Sequence, residues 1–566
     1  MTETYENELR GIKLPPPKFY NAPLSTQLQY VKGYKHLQTF FPTLSKLFRL
    51  NKFNAENVWF DTQWRVHSID CSGTSGNCSL LLEKNVMDCS SQEFKSTPAY
   101  LKVSHLLDPV RWIQGRYSLP KESGLPWHSK TWTNAWHKLQ DPWNQAYVET
   151  LASYAVGRLK EEDVSPHFNH FYGAFCARAD AYRYNMNDEF ASFRNHRWFW
   201  KAKSNNLYKL IVINGDNPTE PVDEEILEEF TNPPDFEDES GEEEGSELSE
   251  IDVGDCEVGE LESLESASLK TDAEGEEEEE DDDDDEEDSD FSDDDQYVVY
   301  AEIPNFPVML LLTEKNENTM DSLLSARDSK IIPNTPEWDE QWSAWIFQVI
   351  AACTVMQKFF GMTHNDLHTN NIVWINTDIE YLYYKRIGGL TYKVPTFGKI
   401  FKIIDFGRAI FKINDNLFIS DDFRKGNDAE GQYAFPPLVP KPAEVVAPNP
   451  SFDLARLAVS LFEALYPVKP KEKKSRKIIS EEEGLIVRET ESDLYNILWT
   501  WMVDDDDCNI LMEPDGSERF PDFDLYKHIA AKCHNAKPSD QFDKPAFSRF
   551  LAKKIPATAK VYSLFC

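Results

Sequence analysis

His364-Asn365-Asp366-Leu367-His368-Thr369-Asn370-Asn371 is the stretch on which the reading of this 566-residue chain turns. A carboxylate opens it and an amide follows five residues later. That spacing lets the carboxylate take a proton from a hydroxyl while the amide turns back to hold a metal ion. The flanks suit such a loop. Ahead of it a long helix is predicted over 337–360, stopping at Gly361. Behind it Ile372-Val373-Trp374 reads as a buried strand.

Further along, Phe401-Lys402-Ile403-Ile404-Asp405-Phe406-Gly407 is an apolar strand running into Asp-Phe-Gly. Between the two motifs lie strand-like runs at 381–385 and 390–394 around Gly388-Gly389, a hairpin signature. Upstream, strands are predicted at 99–103, 170–175 and 207–213, with a helix around 146–154. Residues 1–60 hold Pro15-Pro16-Pro17 and a predicted amphipathic helix over 28–50. From 452 onward the pattern is mainly helical. The first half is therefore strand-rich and the second helix-rich.

Charge is distributed unevenly. Residues 216–295 carry 41 Asp and Glu against one Lys, which accounts for the whole net charge of −40. The remainder has 57 basic and 57 acidic residues and is neutral. The tract repels itself and has little apolar area to offset ordering, so a disordered insertion is expected, with order returning at Tyr297. Such a tract repels nucleic acid but suits basic protein partners. The acidic N-terminus and short apolar runs predict no signal peptide and no membrane span. Nine cysteines, with no CxxC, predict a reducing compartment: an intracellular, soluble protein.

Together these motifs resemble the eukaryotic-type protein kinase superfamily. More narrowly, the runs 363–371, 392–400 and 403–409 resemble protein kinases encoded by giant nucleocytoplasmic large DNA viruses, which would put the chain in host cytoplasm or virion. The resemblance covers roughly 65–215 and 296–550. It implies an α+β, two-lobed fold, with an antiparallel β-rich N-lobe, a helical C-lobe and the acidic insertion within the N-lobe. In it, 1–60 is an N-terminal extension, 61–215 and 296–316 the N-lobe and hinge, 216–295 the insertion, and 317–566 the C-lobe. The implied activity is transfer of the ATP γ-phosphate to protein hydroxyls, expected to be Ser/Thr, with ATP and Mg2+ as cofactors.

The implied roles follow residue by residue. Asp366 is the base; Asn371 and Asp405 hold magnesium. Lys102, in Tyr-Leu-Lys-Val, contacts the α- and β-phosphates, and Glu149 orients it. Gly73 and Gly76, in Cys71-Ser72-Gly73-Thr74-Ser75-Gly76-Asn77-Cys78, let backbone approach phosphate. The backbone around Glu314 and Asn316 meets adenine, and Asp453 braces the loop from a helix. The sequence departs from the family pattern in several places. Asn365 stands where arginine is usual, His368 replaces a lysine, Cys71 replaces the first glycine, and no Ala-Pro-Glu follows the Asp-Phe-Gly. The 47 residues from Lys102 to Glu149 and the 34 from Asn371 to Asp405 are long intervals. Two other readings stay open: a small-molecule kinase on the same fold, and a pseudokinase or acidic scaffold binding basic partners through 216–295.

Overall fold

The computed structural model describes residues 14–51, 55, 57–85, 93–117, 134–215, 220–234, 297–324, 332–482 and 485–566. They form an α+β protein with antiparallel sheets. The chain divides into two compact units, Met1–Tyr184 with Glu302–Cys566, and Asn185–Ala301.

In the first unit, β1 (Phe19–Asn21) pairs with β3 (Val58–Phe60). The main sheet orders β2 (Tyr34–Gln38), β7 (Phe171–Asn185), β9 (Tyr297–Glu314), β6 (Phe94–His105), β5 (Gly76–Lys84) and β4 (Trp64–Asp70), with β8 (Lys209–Asn214) paired to β9 off that path. The continuous apolar run Val308-Met309-Leu310-Leu311-Leu312 suits a strand covered on both faces, and every one of these side chains is buried. β5 alternates instead, burying Leu80 and Leu82. The helix Gln145–Glu161 lays Tyr154 edge-on against Phe171 of β7, the ring centroids 5.7 Å apart.

The helix Pro336–Phe360 has the ends its sequence announces. Thr335 accepts from the Trp338 amide, Pro336 sits at the first turn, and Gly361 stops the helix in the left-handed region at φ +53°. It is long and apolar enough to cross a bilayer, but 83% of its apolar window is buried inside the protein. Its fully buried Gln348 clamps the strand beside it, accepting from the Phe401 amide and donating to the Lys399 carbonyl. That strand, β14 (Lys399–Ile403), completes a three-stranded sheet with β11 (Ile372–Asn376) and β10 (Asn318–Thr319). The hairpin of β12 (Tyr381–Lys385) and β13 (Thr391–Pro395) turns where the sequence predicts, with Gly388 and Gly389 at φ +93° and +95°.

Two expectations are corrected. Residues 28–50 are not one helix: they give a 3-10 turn, β2 and a short helix, Leu44–Leu47. Gly33 at φ +82° and Pro42 interrupt the pattern, and β2 pairs with β7 at the sheet edge. The first sixty residues are thus partly built into the sheet. Residues 220–234 of the acidic tract are ordered. Within the second unit, helix Glu224–Thr231 stacks Phe230 on Phe190 at 5.6 Å and places it beneath the Arg194 guanidinium. One aromatic anchor and a cation offset the repulsion there. For 216–219 and 235–295 the expected disorder lies outside the described residues, as do Trp127 and Trp132 of the Trp-rich stretch.

Candidate functional site

Antiparallel pairing of β11 with β14 sets Ile372 opposite Ile403, which brings the residues just outside those strand ends together. The Ile404 amide donates to the Asn371 carbonyl at 3.0 Å, leaving Asp405 beside Asn371. Asp405 adopts φ +64°, a left-handed conformation that costs a non-glycine residue about 1 kcal/mol or more. Such strain persists where surrounding contacts hold it, and here Lys102 supplies one.

Lys102 lies on β6 between two carboxylates, 2.6 Å from Glu149 Oε1 and 2.8 Å from Asp405 Oδ1. Glu149 reaches it from the helix Gln145–Glu161, whose N-cap Asn144 accepts from the Ala146 amide. The long interval between the two residues therefore does not separate them. Glu149 is almost fully buried, whereas the Asp405 side chain is 41% exposed. Burial pushes the Glu149 carboxyl up, to about 7, against the pull of Lys102. Burial acts the same way on Asp405, but the Lys102 ammonium outweighs it and holds that carboxyl down at about 2. Lys102 itself stays charged, because its two partners override the cost of desolvation.

The loop 364–371 is held from below. Asp453, fully buried on the helix Phe452–Leu465, accepts from the His364 amide at 3.0 Å and the Asn365 amide at 2.9 Å. Its brace role comes out as the sequence suggested. Asn365 sits at φ +65° and spends its side chain inside the protein. Its amide group donates to the carbonyls of Thr363 and Arg408, and its oxygen accepts from the Tyr433 hydroxyl. The Asn371 amide nitrogen donates to the Asp366 carbonyl at 2.9 Å and to His368 Nε2 at 3.0 Å. Both acceptors require nitrogen on that side, so Asn371 presents Oδ1 in the other direction. His368 is thereby spent within the loop.

A cleft of about 560 Å3 opens beside these residues, lined by Lys102, Glu149, Asn316, Asn371 and Asp405 among others. Buried Oδ1 atoms of Asn169 and Asn316 have no hydrogen-bond partner among the described residues, and both residues line the cleft. Unspent acceptors of this kind fit a polar ligand such as a nucleotide base. Asp405 with Asn371 Oδ1 offers two oxygens to a hard cation. No group of three or more His, Cys, Asp or Glu suited to a metal occurs among the described residues. An ion here would need ligand oxygens and water as well, which is how magnesium is commonly held.

The other sequence candidates fall differently. Gly73 (φ +99°) and Gly76 (φ +149°) lie at the β4–β5 turn, flanking the cleft-lining Ser75 rather than lining the cleft themselves. Asn316 lines the cleft, but Glu314 does not. The Glu314 side chain turns to Lys402, with Oε1 2.7 Å from its ammonium, close in distance but poorly aligned. Its amide donates to the His170 carbonyl. Lys402 is fully buried, which lowers its ammonium to about 8 despite Glu314. The Asp366 carboxylate lies outside the cleft lining, where Oδ1 accepts from the Tyr526 hydroxyl at 2.9 Å.

Tyr526, Tyr433 and Asn169 carry no motif and are not legible as site residues; Arg408 lies within the run 403–409, but the sequence gives it no role. Arg408 ion-pairs with Asp422 at 2.7 Å and comes within 3.9 Å of Asp366; its position three residues past Asp405 was the one available signal. No protein-family model matches the chain, and no curated protein matches it.

Proposed function

We propose that this chain is an ATP- and magnesium-dependent protein kinase of the eukaryotic type, two-lobed, acting on protein hydroxyls. The observation that carries this reading is the Lys102 ammonium held between Glu149 and Asp405 at the edge of a cleft that Asn371 also lines. Phosphoryl transfer asks for little covalent chemistry from the protein and much positioning of charge. Bound ATP would supply the γ-phosphoryl group, and Mg2+ would neutralise its oxygens. Asp405 and Asn371 Oδ1 are the residues to hold the ion, and Lys102 is the cation for the inner phosphates. Glu149 keeps Lys102 in place, and Asp366 takes the proton of the attacking hydroxyl. Ser/Thr proteins are the substrate class we favour, and basic proteins remain the partner class for the acidic tract.

The test is transfer of labelled γ-phosphate from Mg-ATP to a protein mixture, with a metabolite panel in parallel. Asp366→Asn and Asp405→Ala should each lower transfer by at least about a hundredfold while circular dichroism stays unchanged. Full activity in both purified variants would sink the assignment. Label in the metabolite panel alone would move the substrate class to small molecules.

A further inference from the structure

The two oxygens of Asp366 are not equivalent. Oδ1 accepts from the Tyr526 hydroxyl at 2.9 Å and has the Arg408 guanidinium 3.9 Å away. Oδ2 faces His368 Nε2 at 4.0 Å, and that nitrogen is itself the acceptor of the Asn371 amide, so it has no proton to offer. Among the described residues, one oxygen is claimed and the other has no hydrogen-bond donor.

Tyr526 comes from 160 residues downstream, and its hydroxyl is fixed by its surroundings. The ring stacks on Phe523 with centroids 5.0 Å apart and meets Phe452 at 6.0 Å. The Arg456 guanidinium lies 5.0 Å from its centroid. Its helix, Asp524–Lys532, buries Ile529 and Ala530, and Asn449 ties the helix down through the carbonyls of Ile529 and Cys533. Asn449 just precedes the helix Phe452–Leu465, on which Phe452 meets the Tyr526 ring and Asp453 holds the loop's amides. The base and the hydroxyl that touches it are thus referenced to the same helix.

From this geometry we propose that Tyr526 is a positioning residue: by holding Asp366 Oδ1, it aims Oδ2 at the acceptor hydroxyl. The inference rests on the phosphotransfer reading, and it names which oxygen takes the proton. The acceptor O–H gives its proton to Oδ2 as its oxygen bonds to phosphorus, and the bond to the nucleotide's leaving oxygen breaks. Tyr526 keeps its own proton throughout. A carboxylate free to rotate would spend much of its time misaimed, and small misplacements at a reacting centre are costly.

Tyr526→Phe keeps the ring stack and removes only the hydroxyl. It should lower kcat by roughly ten- to a hundredfold while leaving KM for ATP within error and moving the thermal unfolding midpoint by no more than the loss of one hydrogen bond, about a few degrees. A purely structural role would move the midpoint with kcat unchanged, and a plug on the base would raise kcat. A rise in kcat, or no change, overturns the proposal. So does phosphate found on Tyr526 by mass spectrometry, which would make it an acceptor. A readout independent of turnover is the 13Cζ resonance of labelled tyrosine. Tyr526→Phe identifies the signal by deleting it, and Asp366→Ala should shift it in otherwise wild-type protein. An unmoved signal overturns the contact and the proposal with it. A shifted signal in a wild-type protein that transfers no phosphate overturns the kinase reading, and the role with it, but leaves the contact standing.

Discussion

The loop 364–371 and the turn 71–76 face the same site and are built in opposite ways. In the first, His364 and Asn365 are fully buried, and side chains from Asp453, Tyr433 and Asn371 close its hydrogen bonds. In the second, Ser72, Thr74 and Ser75 are exposed. Side-chain bonds that pin it to the sheet include Tyr34 hydroxyl to Gly73 carbonyl, 2.8 Å, and Val103 amide to Ser75 Oγ, 2.9 Å. On the proposed reading the first loop holds the base and is preorganised by buried polar groups, each costly to leave unpaired. On the same reading the second closes over the nucleotide and is left lightly held. Damage to the first should therefore appear as lost stability and turnover, and damage to the second as weakened ligand binding.

The largest effect should come from Asp453→Ala. It strands the buried amides of His364 and Asn365, each worth about 1–3 kcal/mol when unpaired. Urea denaturation should read a loss of about 3–5 kcal/mol. Asp453→Asn, which retains one acceptor oxygen, should cost less. If both variants unfold like wild type, the loop is not braced from that helix.

Next is Lys402→Met, on the strand that delivers Asp405. Removing the ammonium leaves Glu314 charged against an apolar neighbour, at about 3 kcal/mol. The double variant with Glu314→Gln should recover part of that. The pH dependence has a definite sign. Folding lowers Lys402 to about 8 from its ordinary 10.5, so between those values the unfolded chain binds more protons. The stability of wild type relative to Lys402→Met should then rise as pH climbs through that window. A flat difference would mean the lysine is not desolvated.

The sequence made one side of this comparison legible and much of the other not. Asp366, Asn371 and Asp405 lie in short local patterns whose strand and helix flanks can be read directly. The long helix and the β12–β13 hairpin followed from caps, periodicity and a Gly-Gly turn. Lys102 and Glu149 were legible only by their order along the chain, because a 2.6 Å ion pair across 47 residues has no local signature. Tyr526 and Tyr433 act through single hydroxyls brought in by tertiary packing, which no spacing rule encodes. The helix expected over 28–50 failed for a related reason. Tyr30 is exposed, and the buried residues Leu28, Val31, Tyr34, Phe40, Phe41 and Leu44 satisfy burial in a turn, a strand, a short helix and the connections between them alike.

That misread segment supplies the tests of the lightly held turn. A methyl group on Gly33 would come within 3.0 Å of the Gly73 Cα, and Gly33 is already at φ +82°. Gly33→Ala should cost about 1–2 kcal/mol of stability. It should also raise the Kd for Mg-ATP several-fold by pushing on the turn, measured by calorimetry. A variant that binds ATP normally would show that this contact is incidental to the ligand.

The smallest effect is expected from Tyr34→Phe, which deletes one hydroxyl and keeps the buried ring. The Gly73 carbonyl it serves is half-buried at an exposed turn, so water can replace the lost donor and the net cost should be about 0.5–1 kcal/mol. Turnover at saturating ATP should not change, because neither group touches Asp366. KM for ATP should rise about twofold, since the turn loses one of the side-chain bonds that hold it and must be ordered by the nucleotide instead. The variant discriminates between two views of residues 1–60. If KM moves, β2 is part of the ligand-binding apparatus, reaching the turn through a single hydroxyl. If only the unfolding midpoint moves, β2 is an edge strand that happens to lie beside it.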